Sequence, residues 1–334
     1  MTLSTLATAR FEAARRLPAS PDPRSQGLHG HGFRVCASSP HPGLAEALAA
    51  AVAPLDYTDL NTRFARPDDR TLAEALLRAL PQGSRVALFG APEHGVELDA
   101  TEALVSYRTE FEAAHCLPHV PPGHKCGRLH GHGFGIRLVA DADRHASADL
   151  VAAWAPLFLQ LNHRYLNDLP GLDNPTSEVM ARWLHAALLP RLPGLRWVEV
   201  HETRTAGSLF DGERFLIWKE QRFESATPLD TEGRYTGHSY LVRLMLAGSL
   251  DETMGWLLDF GDVKDRFKPL YRQLDHNPLD TLPGIRSGST GDVAGWIAGR
   301  LAPQLPELAR VDLMTSARDG VSLCLAHGRP WPLL

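Results

Sequence analysis

Several features are scarce in this chain of 334 residues, and each absence excludes a class of protein. Four cysteines without a framework spacing argue against a disulfide-stapled domain, and a reducing compartment would keep them as thiols. No run of roughly eighteen apolar residues is present, and the first residues lack the apolar core of a signal peptide. We therefore expect a cytoplasmic protein without a membrane-spanning segment.

An excess of positive charge is also lacking. The 34 lysines and arginines stand against 39 aspartates and glutamates, which gives a net charge of −5 and a pI near 6.3. This balance provides no general attraction for nucleic acid or for a membrane, so neither is an expected partner. A triphosphate substrate would need a local basic pocket. The hydrophobic content of 44% is sufficient for real cores in a globular protein.

The clearest chemical signal is the stretch KCGRLHGHGF, residues 125–134. It places Cys126 ahead of two histidines on alternate residues, His130 and His132. Residues two apart in a strand point to the same side, so both imidazoles can bind one ion. His115 lies upstream in TEFEAAHCL, whose alternation predicts the neighbouring strand of a hairpin. Three histidines without a fourth protein ligand are typical of a catalytic zinc ion, which keeps one position free.

The same residues have a simpler interpretation. Two histidines at this spacing are weak evidence by themselves, because surface histidines often fall two apart by chance. The additional presence of His115 and Cys126 makes the metal site the better interpretation.

An internal repeat predicts the architecture. One strand recurs as ARFEAARRL, TEFEAAHCL and QRFESATPL, and a second recurs as LHGHGFRV, LHGHGFGI and YTGHSYLV. A third marker recurs as LDYTDLN, LNHRYLN and LDHNPLD. The markers keep their order at intervals of roughly a hundred residues, which predicts a tandem triplication. We refer to residues 1–104, 105–211 and 212–334 as the first, second and third copies.

Each copy has the pattern of two strands, two helices and two strands. In the second copy we expect a hairpin over 105–140, helices over 148–161 and 176–189, and strands over 196–203 and 214–220. Thr176 or Ser177 is the expected helix cap. The predicted unit is a four-stranded antiparallel sheet with two helices on one face, an α+β arrangement that leaves open sheet edges.

The second copy closely resembles the 6-carboxytetrahydropterin synthase family, relatives of 6-pyruvoyl-tetrahydropterin synthase. The resemblance covers residues 105–210 and includes the C-x3-HGH spacing of the first family, the run LNHRYLNDLPGLDNPTSEVMARWL and the run VEVHETRTAG. It implies the tunnel fold, in which three units join edge to edge into a twelve-stranded barrel and two barrels stack. A chain with three units would close one pseudo-trimeric barrel alone, and two chains would form a homodimer.

The three copies differ at the positions that the family uses. The first copy keeps two histidines but has Arg15, Ser25 and Gly90 where the resemblance expects histidine, cysteine and glutamate. The third copy keeps only one imidazole; its three ligand positions hold Thr227, Thr236 and His238. We therefore expect zinc in the second copy alone, bound by His115, His130 and His132.

The Asp-His dyad of the family is divided between copies. In the second copy Asn162 precedes His163, so the carboxylate that would orient the imidazole is missing. The third copy keeps Asp275 followed by His276. The copies look complementary, which predicts a working site assembled between the second and third copies. The alternative is that Asp275 and His276 are inert relics at a helix end.

The resemblance implies roles for these side chains. Zinc bound by three neutral histidines would bind vicinal hydroxyls and acidify the neighbouring carbon. Beside a dication, Cys126 would have a depressed thiol pKa and accept a proton, which His276, oriented by Asp275, would pass onward. Glu202 matches the glutamate that binds the aminopyrimidine edge of the pterin, although an exposed charge at a strand end is the alternative.

The resemblance also implies a reaction. The substrate would be 7,8-dihydroneopterin triphosphate, converted to 6-carboxytetrahydropterin with release of acetaldehyde and triphosphate, on the route to queuosine. One alternative is triphosphate elimination to 6-pyruvoyl-tetrahydropterin, or side-chain cleavage of a similar pterin. Another is a pterin-binding protein that has lost catalysis, which Asn162 favours and the intact Asp275-His276 pair opposes.

Overall fold

The computed structural model describes residues 1–20, 22–229, 233–315 and 319–325. Within these residues the chain forms three consecutive groups of four long antiparallel strands, each with helices packed against it. No helix in this described part is long and apolar enough to cross a membrane.

The elements follow in chain order. The first copy contains β1 (Thr2–Arg15), α1 (Pro23–Gln26), β2 (His29–Ser39), α2 (Leu44–Val52), the short β3 (Thr58–Asp59), α3 (Asp69–Ala79), β4 (Arg85–Phe89) and β5 (His94–Leu98). The second contains β6 (Ala103–His115), β7 (His130–Asp141), α4 (Ser147–Leu161), the short β8 (Arg164–Tyr165), α5 (Ser177–Leu188), β9 (Leu195–Thr203) and β10 (Ala206–Phe210). The third contains β11 (Phe215–Pro228), β12 (Tyr235–Gly248), α6 (Phe260–Leu274), α7 (Thr290–Leu301), β13 (Leu308–Thr315) and β14 (Asp319–Cys324).

The twelve long strands form one closed antiparallel barrel, as the resemblance implied. Consecutive groups join edge to edge through β5 with β6 and through β10 with β11. The ring closes where β14 pairs with β1, with Thr2 opposite Cys324 and Ala7 opposite Asp319. Closure pairs the edge strands that each unit would otherwise leave open.

Alternation along each strand separates an outer apolar core from the barrel interior. In β7, Phe134, Ile136 and Leu138 are buried against α4 and α5, and Phe111 of β6 stacks on Phe134 with ring centroids 5.2 Å apart. The intervening residues of a strand point to the opposite face, so Arg137 points into the barrel. The first and third copies have equivalent clusters between their own strands and helices.

A buried ion-pair network crosses the junction between the first and second copies. Arg137 lies with one nitrogen 3.2 Å from Glu199 on β9 and another 3.6 Å from Glu97 on β5. Arg85 of β4 lies 2.8 Å from the same Glu97. Burial alone would raise the pKa of Glu199, but Arg137 and a hydrogen bond with His201 lower it to about 2. These paired charges hold the two copies together from inside the barrel.

One predicted strand was assigned to the wrong copy. The stretch 214–220 is the beginning of the long strand β11, and the fourth strand of the second copy is β10. A tight turn at Gly212 joins them, with Phe210 opposite Phe215. The glycine and serine of β10 weaken its strand pattern, whereas β11 begins with a continuous apolar run, residues 215–218, that reads as a strand by itself. The two predicted helices of the second copy are confirmed, and Thr176 is the cap, accepting a hydrogen bond from the Val179 N–H at 3.1 Å.

Replacing Arg137 by methionine tests the buried network. The change leaves Glu199 as a buried carboxylate without its guanidinium, so we expect the free energy of unfolding to fall by about 3–5 kcal/mol in chemical denaturation. Arg144 is a matched control because it is exposed and lies 4.0 Å from Asp141. Its replacement by methionine should cost less than about 1 kcal/mol, and equal losses for both variants would contradict the assignment.

Candidate metal centre and seam pocket

Three histidines meet where β6 ends and β7 begins. His115 and His130 are directly opposite each other in the register, and His132 follows on the same face of β7. Their candidate ligand nitrogens all lie within 4.8 Å of one another. Among the described residues, this is the one group of three histidine, cysteine or acidic side chains close enough to share an ion.

The hydrogen bonds of these rings leave one nitrogen of each available. The Nδ1 atoms face backbone carbonyls, at 3.3 Å for His115 with Pro175, 2.7 Å for His130 with Arg128 and 3.0 Å for His132 with Gly133. Because a carbonyl only accepts, each Nδ1 carries the proton and each Nε2 keeps its lone pair. Within the described part of the chain, the Nε2 of His115 is buried without a hydrogen-bond partner. Three such imidazoles fit a zinc ion.

Electrostatics also favour the neutral form that a ligand needs. Burial, followed by the neighbouring His130 and His132, lowers the pKa of His115 to about 4. The ring is therefore uncharged at neutral pH and requires no deprotonation before binding a cation.

The first copy fills the same place with a guanidinium. Arg15 lies opposite His29 just as His115 lies opposite His130. Its Nη1 donates to Asp69 at 2.6 Å and to the Pro67 carbonyl at 3.0 Å. A side chain at Gly90 would come within 2.6 Å of that same Asp69, so the ion pair also occupies the space that a glutamate would need.

The third copy is degenerate in a different way. Thr227 lies opposite Thr236, and the Thr227 hydroxyl is 2.8 Å from the Tyr240 hydroxyl. His238 is the single imidazole left at these positions. Neither the first nor the third copy reproduces the three-histidine group.

A pocket beside the histidines lies on the seam between the second and third copies. The second copy contributes His115, Cys126, Glu178 and Glu202, and the third contributes Trp256, Leu258, Asp259 and Phe260. Cys126 lies in a single 3₁₀ turn, Lys125–Gly127, that precedes β7. The structure therefore brings Cys126 and Glu202 together with His115, and adds a wall from the neighbouring copy.

The wall is a segment of the third copy, residues 251–259, that docks on the start of α5. Asn174 donates to the Met254 carbonyl at 2.7 Å, and Thr176 donates to the Gly255 carbonyl at 2.6 Å. Gly255 has φ of 71°, a conformation that glycine adopts without strain. Residues 255–259 of the segment begin the stretch GWLLDFGDVK, which has no counterpart in the sequence of the second copy.

Glu178 is a pocket residue that sequence reasoning missed. It is 2% exposed, accepts a hydrogen bond from the Leu257 N–H at 3.0 Å, and accepts another from the Ser177 hydroxyl at 2.9 Å. Burial raises its pKa to about 7. The only signal in the sequence was an acidic residue in the first turn of a helix, which the helix dipole explains equally well.

The surroundings of Cys126, burial first, disfavour the thiolate form. Burial raises its pKa, Glu202 and Asp259 raise it further, and Lys125 lowers it. Burial likewise raises the pKa of Glu202, against a lowering effect of His132. A depressed thiol pKa therefore depends on a bound cation and stays a prediction.

The Asp-His dyad lies outside this pocket. His276 borders an open cleft that Glu224 and His238 of the third copy also line. The Asp275 carboxylate lies 3.0 Å from His276 Nδ1 and accepts the Glu224 N–H at 2.9 Å and the Tyr271 hydroxyl at 3.1 Å. The His276 side chain is 78% exposed.

His163 occupies the corresponding position of the second copy. Its φ of 57° matches the 60° of His276, and its N–H donates to Glu112 as that of His276 donates to Glu224. Asn162 accepts the Glu112 N–H at 3.0 Å, so it preserves the backbone contact that Asp275 makes. His163 is exposed and does not line the seam pocket either.

Sequence comparison identifies relatives for two of the copies. The profile of the family described as 6-pyruvoyl tetrahydropterin synthase matches residues 104–213 and 216–323. A 6-carboxy-5,6,7,8-tetrahydropterin synthase from Synechocystis sp. is 42% identical over 117 residues, 31% of this chain and 89% of the relative. A dihydroneopterin monophosphate aldolase from Pyrococcus furiosus is 30% identical over 121 residues, 35% of this chain and 96% of that protein.

Solved structures give a weaker likeness. The 6-pyruvoyl tetrahydropterin synthase of Caenorhabditis elegans matches 32% of this chain and 94% of its own, with 18% identity and a TM-score of 0.30. A TM-score this low does not support a conclusion about fold or function. The family profile, in contrast, covers more than half of the chain in two consecutive segments, and the protein therefore belongs to the 6-pyruvoyl tetrahydropterin synthase family.

Proposed function

We propose that this protein is a zinc-dependent 6-carboxytetrahydropterin synthase that acts on 7,8-dihydroneopterin triphosphate and supplies queuosine precursor biosynthesis. The observation that carries the proposal is the three-histidine group, whose member His115 lines one pocket together with Cys126 and Glu202. The identity of 42% between this chain and a 6-carboxy-5,6,7,8-tetrahydropterin synthase supports the choice of reaction. The proposed enzyme class is a carbon-oxygen lyase.

The three copies have different roles in this proposal. Residues 1–104 form a degenerate tunnel-fold unit, because Arg15 and Asp69 fill its site. Residues 105–211 form the zinc-bearing unit. Residues 212–334 form the unit that supplies the wall of the pocket and the Asp275-His276 dyad.

Each proposed role follows from the surroundings of the side chain. His115, His130 and His132 would hold the zinc ion, which supplies a Lewis acid for the substrate hydroxyls when bound. Glu202 has no hydrogen bond within the described residues, so both its oxygens can accept the parallel N–H groups of an aminopyrimidine edge. Cys126 would accept a proton from the substrate carbon. Trp256 and Phe260 add apolar surface to the wall of the pocket.

We propose that the Asp275-His276 dyad acts on the pocket of a second chain. His276 is exposed and lines a different cleft from Cys126 within one barrel. We therefore propose a homodimer of stacked barrels in which the exposed His276 of one chain reaches the Cys126 pocket of the other. Asp275 would hold the imidazole in one tautomer, and His276 would pass on the proton that Cys126 accepts.

Two other reactions remain candidates. The family description favours elimination to a 6-pyruvoyl-tetrahydropterin, and identity of 30% with a dihydroneopterin monophosphate aldolase favours side-chain cleavage of a related pterin. Chromatography of the products from the triphosphate distinguishes the three reactions. Pterin binding without any turnover would identify a binding protein instead.

The first test concerns metal content. We expect close to one zinc ion per purified chain, because only the second copy has three histidine ligands. His130→Ala should empty the site without unfolding the barrel, since a zinc on a formed sheet is not what holds that sheet together. His31→Ala in the first copy is the matched control and should leave the content unchanged. Two or three equivalents per chain would contradict the assignment.

The second test concerns catalytic residues. Cys126→Ala and His276→Ala should each lower turnover by roughly a hundredfold or more, the usual scale for a lost acid-base group, whereas His163→Ala should be mild. The double variant at Cys126 and His276 should lose little more turnover than either single variant, because the effects of groups that act as a unit are not additive. If His163→Ala abolishes turnover and His276→Ala is silent, the working histidine is His163.

The third test concerns assembly. Light scattering at micromolar concentration should give the mass of two chains, and a stable monomer or a trimer of chains would argue against barrel stacking. Mixing Cys126→Ala chains with His276→Ala chains under exchange should restore part of the turnover. Each mixed dimer then has one site with an intact thiol and an intact partner histidine. No recovery in verified mixed dimers would mean that the dyad acts within one chain or not at all.

A further inference from the structure

A histidine outside the metal group lies between the thiol-bearing turn and the neighbouring copy. The Nδ1 of His124 accepts the backbone N–H of Cys126 at 3.3 Å, and its Nε2 lies 3.2 Å from the carboxylate of Asp259. Because Nδ1 accepts the Cys126 N–H, it has no proton, so the proton of the neutral ring is on Nε2, the nitrogen that faces Asp259. The two contacts therefore select one tautomer of His124.

Asp259 uses its two oxygens for two purposes. One oxygen accepts the Gly261 N–H at 2.5 Å and caps the start of α6, and the other faces His124. The two side chains are only 26% and 25% exposed, and the His124 ring lies 5.9 Å from the Trp256 ring. The contact is therefore a partly buried connection from a helix start in the third copy to the turn that bears the thiol in the second.

Simple attachment of the wall segment does not require this connection. Residues 251–259 are already held by hydrogen bonds from Asn174 and Thr176 and by the Leu257 N–H on Glu178. A further contact joins His119 Nδ1 to the Thr253 carbonyl at 2.8 Å. What His124 adds is a bond to the backbone of Cys126 itself. On the other side, the Leu117 N–H donates to the Cys126 carbonyl at 2.8 Å, so the residue is fixed from both directions.

We infer that His124 and Asp259 form a positioning pair that sets the Cys126 thiol toward the substrate and makes its placement depend on the third copy. This inference rests on the proposed role of Cys126. His124 acts through the backbone of the turn, and Asp259 acts through His124. The Asp259 carboxylate also lines the pocket and raises the pKa of the Cys126 thiol.

Asp259→Asn is the decisive variant. Asparagine is a good helix cap, so α6 keeps its start. Its amide nitrogen, however, cannot accept from His124 Nε2–H if its oxygen stays on Gly261. His124 then either loses this partner or moves its proton to Nδ1, and in the second case it can no longer accept the Cys126 N–H. If Asp259 only caps α6, Asp259→Asn should leave kcat unchanged. If Asp259 positions the turn through His124, the variant should have a lower kcat.

The kinetic readout separates positioning from binding. Asp259→Asn and His124→Ala should each lower kcat by about tenfold to a hundredfold with KM nearly unchanged, the range found when residues that orient a reactive group are removed. His124→Asn keeps an acceptor near the Cys126 N–H and should recover part of the loss. The double variant should be no worse than His124→Ala alone. Asp68→Asn, at the cap of α3 in the first copy, is the matched control and should behave as wild type.

A second readout does not depend on activity. The rate of iodoacetamide labelling at Cys126, followed by peptide mass spectrometry, is measured at a pH high enough to ionise the thiol in every variant, because loss of the Asp259 carboxylate by itself lowers the thiol pKa. Under that condition the rate should rise several-fold in Asp259→Asn and His124→Ala because the turn is released, and should not change in Asp68→Asn. If the wild-type protein has no turnover but labelling responds in this way, the proposed function fails and the positioning pair stands. If Asp259→Asn has wild-type kcat and wild-type labelling in a protein with normal thermal stability, the inference is wrong.

Discussion

The structure depends on the pairing of sheet edges. A four-stranded unit leaves two rows of backbone N–H and C=O groups without partners, and only another strand can satisfy them at regular spacing. In this chain three such units satisfy one another, with β14 on β1 as the last contact. The seams between units follow directly from that requirement. Because the wall segment of the third copy docks on the second copy at such a seam, the pocket exists only where these two copies meet.

Fusion of the units allows the seams to differ. At the seam between the second and third copies, Glu178 accepts the Leu257 N–H. At the seam between the first and second copies, the residue at the matching helix position is Arg70, which lies 2.7 Å from Asp143 and 3.3 Å from the Ala142 carbonyl. A carboxylate facing an N–H has been replaced by a cation facing oxygens. Both contacts join the same helix position to the same kind of loop, with the charges reversed.

Much of the fold could be predicted because repetition and alternation are local signals. The strands around Phe111 and Phe134 and the helix capped by Thr176 follow from periodicity within a few residues. The division between β10 and β11 could not be predicted in this way. Two apolar strands joined by a tight turn give no local signal of which copy each strand belongs to. The three histidines could be predicted as a group because one strand pair brings them together. The role of Glu178 and the contact of His124 with Asp259 could not be predicted. The partner of each residue lies in the other copy, and the contacts become buried only when the two copies meet.

The guanidinium of Arg15 has a consequence beyond the loss of one ligand. Its contact with the Pro67 carbonyl repeats the contact of His115 with the Pro175 carbonyl, so a covalently attached cation stands where the second copy offers open nitrogen ligands. The first site is therefore filled by an ion pair, Arg15 with Asp69, both of whose members belong to the chain. If the second site binds zinc as proposed, the same barrel holds one centre that must acquire its cation from solution and one whose cation is part of the sequence.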